Sequence, residues 1–147
     1  MTTSLSRIKF TREIYSSLTI PENLKKNANA VLRLDATRIE VPSLKKQSHS
    51  YRRIITILNK KGNNHLRAGV GYDSKISVKK LSALIYDKFG NEIKKYKKSD
   101  FKDVAAVSSI SLYEDSRVKY LEYTPINYPY TVELFYETET SNTGYLP

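Results

Sequence analysis

Residues 81–96 read LSALIYDKFGNEIKKY, and this stretch carries the pattern on which the fold prediction rests. Apolar side chains recur at every second position from Leu81 to Ile85, which is the period of a β-strand. Residues 87–91 then read as a turn with Gly90 at the position that needs a left-handed backbone, and residues 93–96 return as a second strand. The stretch therefore predicts an antiparallel hairpin.

The same period of two continues toward the N-terminus. Residues 51–58 are apolar on both parities, which predicts a central strand with material packed on both of its faces. Further upstream, the apolar positions change parity between Ala36 and Ile39. A one-residue phase change of this kind predicts a β-bulge near Thr37 and Arg38.

Other alternating segments predict further strands, at residues 66–72, 110–113, 118–123 and 130–136. A brief helix is predicted over residues 21–28, where proline begins the first turn, and no pattern predicts a helix long enough to join parallel strands. About eight short strands at this spacing are typical of an antiparallel sandwich or barrel. We predict an all-β, antiparallel β-sandwich whose core contains Leu34, Ile55, Ile57, Val70, Leu81, Ile85, Val118, Val132 and Leu134.

The chain has 147 residues, which is enough for one domain with a substantial core. We expect a single β-sandwich domain over residues 21–147, preceded at residues 1–20 by a tail or short strand. The absence of cysteine excludes disulfides, thiolate metal sites and a cysteine nucleophile. No apolar run is long enough for a transmembrane helix or a signal-peptide core. We therefore expect no membrane insertion, and either a cytoplasmic protein or a fragment of a longer one.

Positive charge is concentrated in the first three quarters of the chain. The formal net charge is +10, and residues 1–110 carry 23 of the 25 Lys and Arg side chains. Most of these residues stand in pairs beside predicted turns, which favours a solvated surface over a nucleic-acid arm. The candidate interaction surface consists of Lys94, Lys95, Tyr96, Lys97 and Lys98.

This basic segment has two interpretations. Its ammonium groups suit phosphates and its tyrosine ring suits a base, as in single-strand nucleic-acid binders. Against that interpretation, exposed lysines after a hairpin protect the edge of a sheet from aggregation, and the sequence has no recognised nucleic-acid-binding motif. The sequence therefore disfavours nucleic acid as a partner.

The inventory of catalytic residue types is small. His49 and His65 have no second ligand at metal-binding spacing, and the sequence has no nucleophile elbow, P-loop or metallohydrolase motif. The adjacent carboxylates Glu114 and Asp115 would point to opposite faces of a strand, so we assign them to a turn. We therefore predict no metal, no cofactor and no catalytic activity for the isolated chain.

Tyrosine is unusually abundant, with 12 residues and no tryptophan. Half of the tyrosines lie between Tyr113 and Tyr136. Tyrosine suits half-buried strand positions, so packing in the core and at its rim is the favoured interpretation. The alternative is a carbohydrate-binding module with an exposed tyrosine platform in the C-terminal strands, whose binding would be insensitive to salt.

Several motifs occur in a familiar order. Val70-Gly71-Tyr72-Asp73 precedes the strand and turn of residues 81–90, and the last motifs are the segments 111–118, 128–133 and 144–147. In this order the chain, from about residue 21 to residue 147, resembles the domain of unknown function that precedes transglutaminase-like domains in envelope proteins of Gram-negative bacteria. The motif residues, to which we assign a structural role, are Tyr72, Asp73, Gly90, Asp115 and Arg117.

The resemblance implies a β-sandwich in an exported, periplasmic or envelope protein, where a following domain carries the catalytic cysteine, histidine and aspartate. It carries no catalytic residue onto this chain. We expect a non-catalytic accessory domain, a scaffold or interaction module whose partner is the transglutaminase-like domain of the same protein. In the motif itself, we predict that Arg117 clamps Asp115 or nearby carbonyls and fixes a turn.

Overall fold

In the computed structural model, which describes residues 11–106 and 115–141, eight strands form two antiparallel sheets. The strands are β1 (Ala30–Ser43), β2 (Lys46–Ile57), β3 (Gly69–Tyr72), β4 (Ile76–Tyr86), β5 (Glu92–Lys97), β6 (Lys102–Ala105), β7 (Arg117–Tyr120) and β8 (Tyr130–Thr140). The large sheet has the order β1-β2-β8-β4-β5, and the small sheet has the order β3-β7-β6. The predicted all-β sandwich is confirmed, although the predicted strand at residues 110–113 lies outside the described residues.

The β4–β5 hairpin forms where the sequence predicts it. Asp87 Oδ1 accepts hydrogen bonds from the backbone N–H groups of Phe89 and Asn91, each at 2.9 Å. Gly90 has a φ of +86°, and a Cβ at this position would lie 3.0 Å from the Arg12 carbonyl oxygen. The turn therefore needs glycine for its backbone conformation and for the close approach of the N-terminal segment.

The core lies between the two sheets. Its members from the predicted set are Ile55, Ile57, Val70, Leu81, Ile85, Val132 and Leu134, all buried. The two other predictions are wrong. Leu34 packs on the opposite face of the large sheet, against a second apolar cluster around Ile54. Val118 pairs with Gly71 and is out of phase with the buried Val70 in the neighbouring strand, so it lies on the outer face of the small sheet.

A β-bulge explains the position of Leu34. β1 has two register shifts, one between Leu32 and Leu34, at Arg33, and one between Glu40 and Ser43, and neither lies near Thr37 and Arg38 as predicted. The guanidinium of Arg33 donates to the carbonyls of Ser16 (3.0 Å) and Glu13 (3.1 Å) on the outer face of the sheet. Because the bulge at Arg33 adds one residue there, the residues from Leu34 to Glu40 change face.

The outer face of the large sheet is covered by the N-terminal segment. Residues 11–20 form two short 3₁₀ turns, Arg12–Ile14 and Ser17–Thr19, and the predicted helix follows as α1 (Glu22–Lys25). Tyr15 stacks on Tyr86 with ring centroids 4.1 Å apart. The first ten residues, which are half of the expected N-terminal tail or short strand, lie outside the described part of the chain.

A buried polar cluster fastens this segment to the sheet. The hydroxyl of Tyr15 donates to Oε2 of Glu133 at 2.6 Å, and a guanidinium nitrogen of Arg52 lies 3.7 Å from the same oxygen. Burial, followed by the hydrogen bond with Glu133, raises the pKa of Tyr15 far above its usual value. The hydroxyl therefore stays protonated as a donor to the buried carboxylate.

Candidate functional site

Asp103 is the hub of an ionic network in the small sheet. Its carboxylate accepts hydrogen bonds from the Tyr72 hydroxyl (2.5 Å), from Arg117 Nε (3.0 Å) and from Lys119 Nζ (2.9 Å). The ammonium of Lys119 also lies 5.3 Å from the centroid of the Tyr72 ring. Two motif residues, Tyr72 and Arg117, thus meet at a carboxylate that the sequence motif does not contain.

The two acidic motif residues, Asp73 and Asp115, shape the turn between β3 and β4. Asp73 Oδ1 accepts from the backbone N–H groups of Lys75 (2.8 Å) and Ile76 (2.9 Å). Asp115 Oδ2 accepts from the backbone N–H of Ser74 at 3.1 Å. The predicted Arg117 clamp on Asp115 is wrong, because Arg117 binds Asp103 across the sheet. The two residues are neighbours in sequence but serve different parts of the structure.

The carboxylates of Asp103 and Asp115 are both held in the charged form. Hydrogen bonds from Tyr72 and Lys119 hold the pKa of Asp103 well below its usual range. Hydrogen bonds from Ser74 lower the pKa of Asp115 as well. A carboxylate in this state is a poor proton donor at neutral pH. The network is therefore suited to fixing the small sheet rather than to acid catalysis.

Residues 94–97 of the basic segment lie in β5, one edge strand of the large sheet, and Lys98 begins the 3₁₀ turn that follows. Tyr96 pairs with Ala83 of β4, packs against the core, and makes an edge contact with Tyr123 at 6.3 Å between centroids. The ammonium of Lys94 lies 5.0 Å from the centroid of the Tyr96 ring. The structure therefore places this ring inside the protein's own aromatic contacts.

The lysines of this segment do not form one surface. Lys94 shares a face with Tyr96, whereas Lys95 and Lys97 alternate with them along the strand and point to the other side. Lys98 donates through Nζ to the carbonyl of Val78 at 2.6 Å. The four ammonium groups are adjacent in sequence but not in space. They lie on two faces of the sheet, and the ammonium of Lys98 is bound to a backbone carbonyl.

Neither a metal-binding cluster nor a membrane-spanning helix is present in residues 11–106 and 115–141. His49 lies half-buried in β2, and His65 is exposed at the end of a 3₁₀ turn. Within those ranges, no group of three or more His, Cys, Asp or Glu residues could hold a metal ion. In the same ranges, no helix is both long enough and apolar enough to cross a membrane.

A groove of about 530 Å³ lies where the β4–β5 turn meets the loop before β8. We call it the aromatic groove, and its lining includes Phe89, Ile93, Tyr123, Ile126 and Tyr128. Three of these side chains are unusually exposed for apolar groups: Phe89 at 49%, Ile93 at 55% and Ile126 at 91%. Apolar side chains gathered at one place on a surface mark an interaction site more often than scattered ones do.

Tyrosine contacts make the floor of this groove rigid. Tyr130 is 2% exposed, and its ring contacts those of Tyr123 (5.3 Å) and Tyr128 (5.7 Å). Asn63 joins two of the hydroxyls, accepting from Tyr130 at 2.5 Å and donating to Tyr128 at 2.6 Å. Tyr130 is held protonated, because burial raises its pKa far above the usual value.

The sequence analysis missed the groove as a site. Its lining comes from the β4–β5 hairpin and from residues 123–130, two segments that only the fold brings together. The available signal was the turn residue Phe89 and the isolated Ile126, both apolar in otherwise polar loop surroundings. The abundance of tyrosine near the C-terminus was noticed, and the described tyrosines there are buried or half-buried.

Two comparisons relate the chain to known proteins. Residues 45–145 match a family model described as "Domain of Unknown Function with solved-structure structure (DUF3857)". A crystal structure described as a "putative protease" from Parabacteroides distasonis matches with a TM-score of 0.63 and 15% identity over 80% of this chain. The match spans only 24% of that longer chain, and at this identity it shows the fold alone. No curated protein matches.

Proposed function

Since this chain belongs to the DUF3857 family of domains of unknown function, we propose that it is a non-catalytic accessory domain that docks on a transglutaminase-like catalytic domain of the same exported protein. The family match agrees with the resemblance in the sequence motifs as far as the domain of unknown function. The catalytic partner and the periplasmic location extend that resemblance and form part of the proposal.

The aromatic groove is the observation that carries this proposal. Ile126 is 91% exposed beside the half-exposed Phe89 and Ile93, on a floor of tyrosines that hold one another in place. Apolar side chains in such a position gain free energy when a second surface removes them from water. A rigid floor also lowers the entropy lost on docking. A neighbouring domain of the same chain is a natural occupant because it is always present at high effective concentration.

The structural match is consistent with this role. The fold shared with the Parabacteroides structure accounts for 24% of a longer chain, so the same sandwich occurs as one part of a larger protein. The ionic network around Asp103 supports a structural role for the motif residues, since its carboxylate is charged and fully engaged by three side-chain donors.

The test begins with the coding sequence around this chain and continues with binding. We expect a transglutaminase-like domain to be encoded after it, and that domain, expressed separately, to bind this chain in isothermal titration calorimetry. Ile126→Asp places a carboxylate in the apolar contact, where desolvation is costly, and should weaken binding by about 100-fold or more. The full-length protein should fractionate with the periplasm.

The matched control is Leu44→Asp. Leu44 lies between β1 and β2 and is 91% exposed, the same fraction as Ile126, so the two substitutions change the surface equally. Leu44→Asp should bind as the parent does. The proposal is wrong if the gene encodes no catalytic domain beside this chain, if both variants bind equally well, or if the chain alone turns over a substrate.

A further inference from the structure

A second candidate site lies where β1, β2 and β8 of the large sheet face β3 of the small sheet. Two adjoining cavities of about 360 and 210 Å³ lie there, and both are lined by Tyr51 and Tyr136. We call this site the lateral cleft. Its remaining polar lining includes Asp35, Thr37, His49, Arg53, Arg67, Thr138 and Thr140.

The floor of the lateral cleft is an aromatic pair. Tyr51 of β2 is directly opposite Tyr136 of β8, with ring centroids 5.1 Å apart and planes inclined by 35°. Both side chains are half-buried. Burial and the neighbouring Asp35 carboxylate raise the pKa of Tyr51 to about 12. At neutral pH its hydroxyl is therefore a protonated donor.

Two arginines border this floor, and they differ in whether their guanidinium groups have hydrogen-bond partners among the described residues. Arg53 is fixed by donating to the carbonyls of Leu66 (2.6 Å) and His65 (2.9 Å). Arg67 has a φ of +40°, a left-handed backbone that is uncommon for a residue with a side chain. Among the described residues its guanidinium has no hydrogen bond or ion pair, and it borders both this cleft and a neighbouring cavity of about 570 Å³.

We propose that the lateral cleft binds a sugar unit that carries a carboxylate, such as a uronic acid. The apolar face of the ring would lie on Tyr51 and Tyr136, and the carboxylate would pair with the fork of Arg67. The sugar hydroxyls would donate to the Asp35 carboxylate and to the oxygen of the Tyr51 hydroxyl, whose own proton is held by Asp35. An aromatic floor bordered by hydrogen-bonding side chains offers a sugar an apolar contact for its ring and polar partners for its hydroxyls.

The charges of the cleft favour this ligand over a chain of phosphates. Asp35 stands about midway along β1 and would repel a chain of phosphates, whereas it accepts hydrogen bonds from hydroxyl groups. The guanidinium of Arg67, which has no partner among residues 11–106 and 115–141, matches one carboxylate. The lateral cleft and the aromatic groove share no lining residue, so the result of this test does not depend on the docking proposal.

The test is titration of the protein with trigalacturonate, followed by NMR shifts of the Tyr51 and Tyr136 ring protons. The uncharged probe is the fully methyl-esterified trigalacturonate. Arg67→Asn removes the guanidinium and keeps a residue that tolerates a left-handed backbone. We expect ring shifts with trigalacturonate, and about tenfold weaker binding both for the ester and for Arg67→Asn.

The matched control is Lys95→Asn, which removes one exposed positive charge on β5, far from the cleft in the order of the large sheet. It should bind trigalacturonate as the parent does. The proposal is overturned if millimolar trigalacturonate moves neither ring, if the ester binds equally well, or if Lys95→Asn weakens binding as much as Arg67→Asn. A steep loss of affinity with salt would overturn it too, because that is the behaviour of a polyanion site.

Discussion

The inner face of the large sheet has the same alternating pattern on all strands, but its two halves differ in burial. The half on β8 and β4 is covered by the small sheet, and the half on β1 is exposed to solvent. Under β8 and β4, Val132, Leu134 and Ile85 are at most 3% exposed. On β1, Leu32 and Ile39 face the same way and are each 51% exposed. Alternation thus shows which side chains share a face of a strand. Whether that part of the face is covered depends on the second sheet, which is narrower.

The side chains of β2 and β8 mark the boundary between these halves. Along one row across the sheet, Asp35 stands opposite Arg53, which stands opposite Leu134, which stands opposite Ala83. The row passes from charged to apolar within four strands. The same gradient puts the lateral cleft on the β1 side and the core on the β4 side.

The largest effect expected from this comparison is the loss of a core side chain. Ile85→Ala removes a side chain that is 0% exposed, and it should lower the free energy of unfolding by about 2–5 kcal/mol, through lost burial and the cavity left behind. Leu32→Ala in the open half should cost less than about 1 kcal/mol. Urea denaturation of both variants measures the difference, and equal losses would show that β1 is covered in solution.

Much of the fold can be predicted from local sequence. The β4–β5 hairpin, its Gly90 turn and the doubly buried β2 all follow from patterns within about ten residues. The bulge at Arg33 does not, because its position depends on where that guanidinium finds the carbonyls of the N-terminal segment. A parity change in the sequence indicates that a bulge exists and leaves its position open over several residues.

The functional surfaces are less accessible to sequence reasoning than the fold. Arg117 finds its partner in Asp103, which is on a neighbouring strand, and not in the nearby Asp115. The aromatic groove needs two loops that are distant in sequence, and the lateral cleft needs unequal numbers of strands in the two sheets. Residue types and spacing indicate single apolar loop residues such as Phe89 and Ile126, but they do not indicate which of these residues the fold brings together.

A second prediction compares the two faces of the large sheet. Tyr15→Phe deletes the hydroxyl that donates to the buried Glu133, and the carboxylate loses one partner in a place that water does not reach. We expect a loss of about 1–3 kcal/mol in the free energy of unfolding. The measurement is urea denaturation at pH 7.

The control for this variant is Tyr120→Phe. The Tyr120 hydroxyl contacts Glu122 at 3.3 Å in an exposed position, so water replaces the lost bond and the midpoint should barely move. If the two variants were equally stable, the N-terminal segment would not be docked on the outer face as described. The outer face would then resemble the open half of the inner face rather than the core.

The smallest expected effect concerns the small sheet, whose inner face is also divided between apolar and polar parts. Asp103, Lys119 and Tyr72 lie on the same face as the buried Val70. Asp103→Asn should lower stability at pH 7, where its carboxylate is charged and paired with Lys119 and Arg117. Because the pairs are partly exposed, we expect a modest shift of the urea midpoint.

The pH dependence of this shift separates an ionic role from a packing role. The pKa of Asp103 is lowered in the folded protein, mainly by the Tyr72 hydroxyl and Lys119. A lowered folded pKa contributes stability above the unfolded value of about 3.9, and that contribution is lost as the pH falls through the folded pKa. The difference in the free energy of unfolding between the parent and Asp103→Asn, which is the gap measured by urea denaturation, should therefore narrow below about pH 4.

Asp115→Asn is the comparison variant, because the Asp115 carboxylate accepts from one backbone N–H. This variant should show a smaller gap at pH 7. A gap for Asp103→Asn that stays constant from pH 7 to pH 2 would mean that Asp103 acts through shape and hydrogen bonding alone, and the polar half of the small sheet would then be held by packing, as its apolar half is.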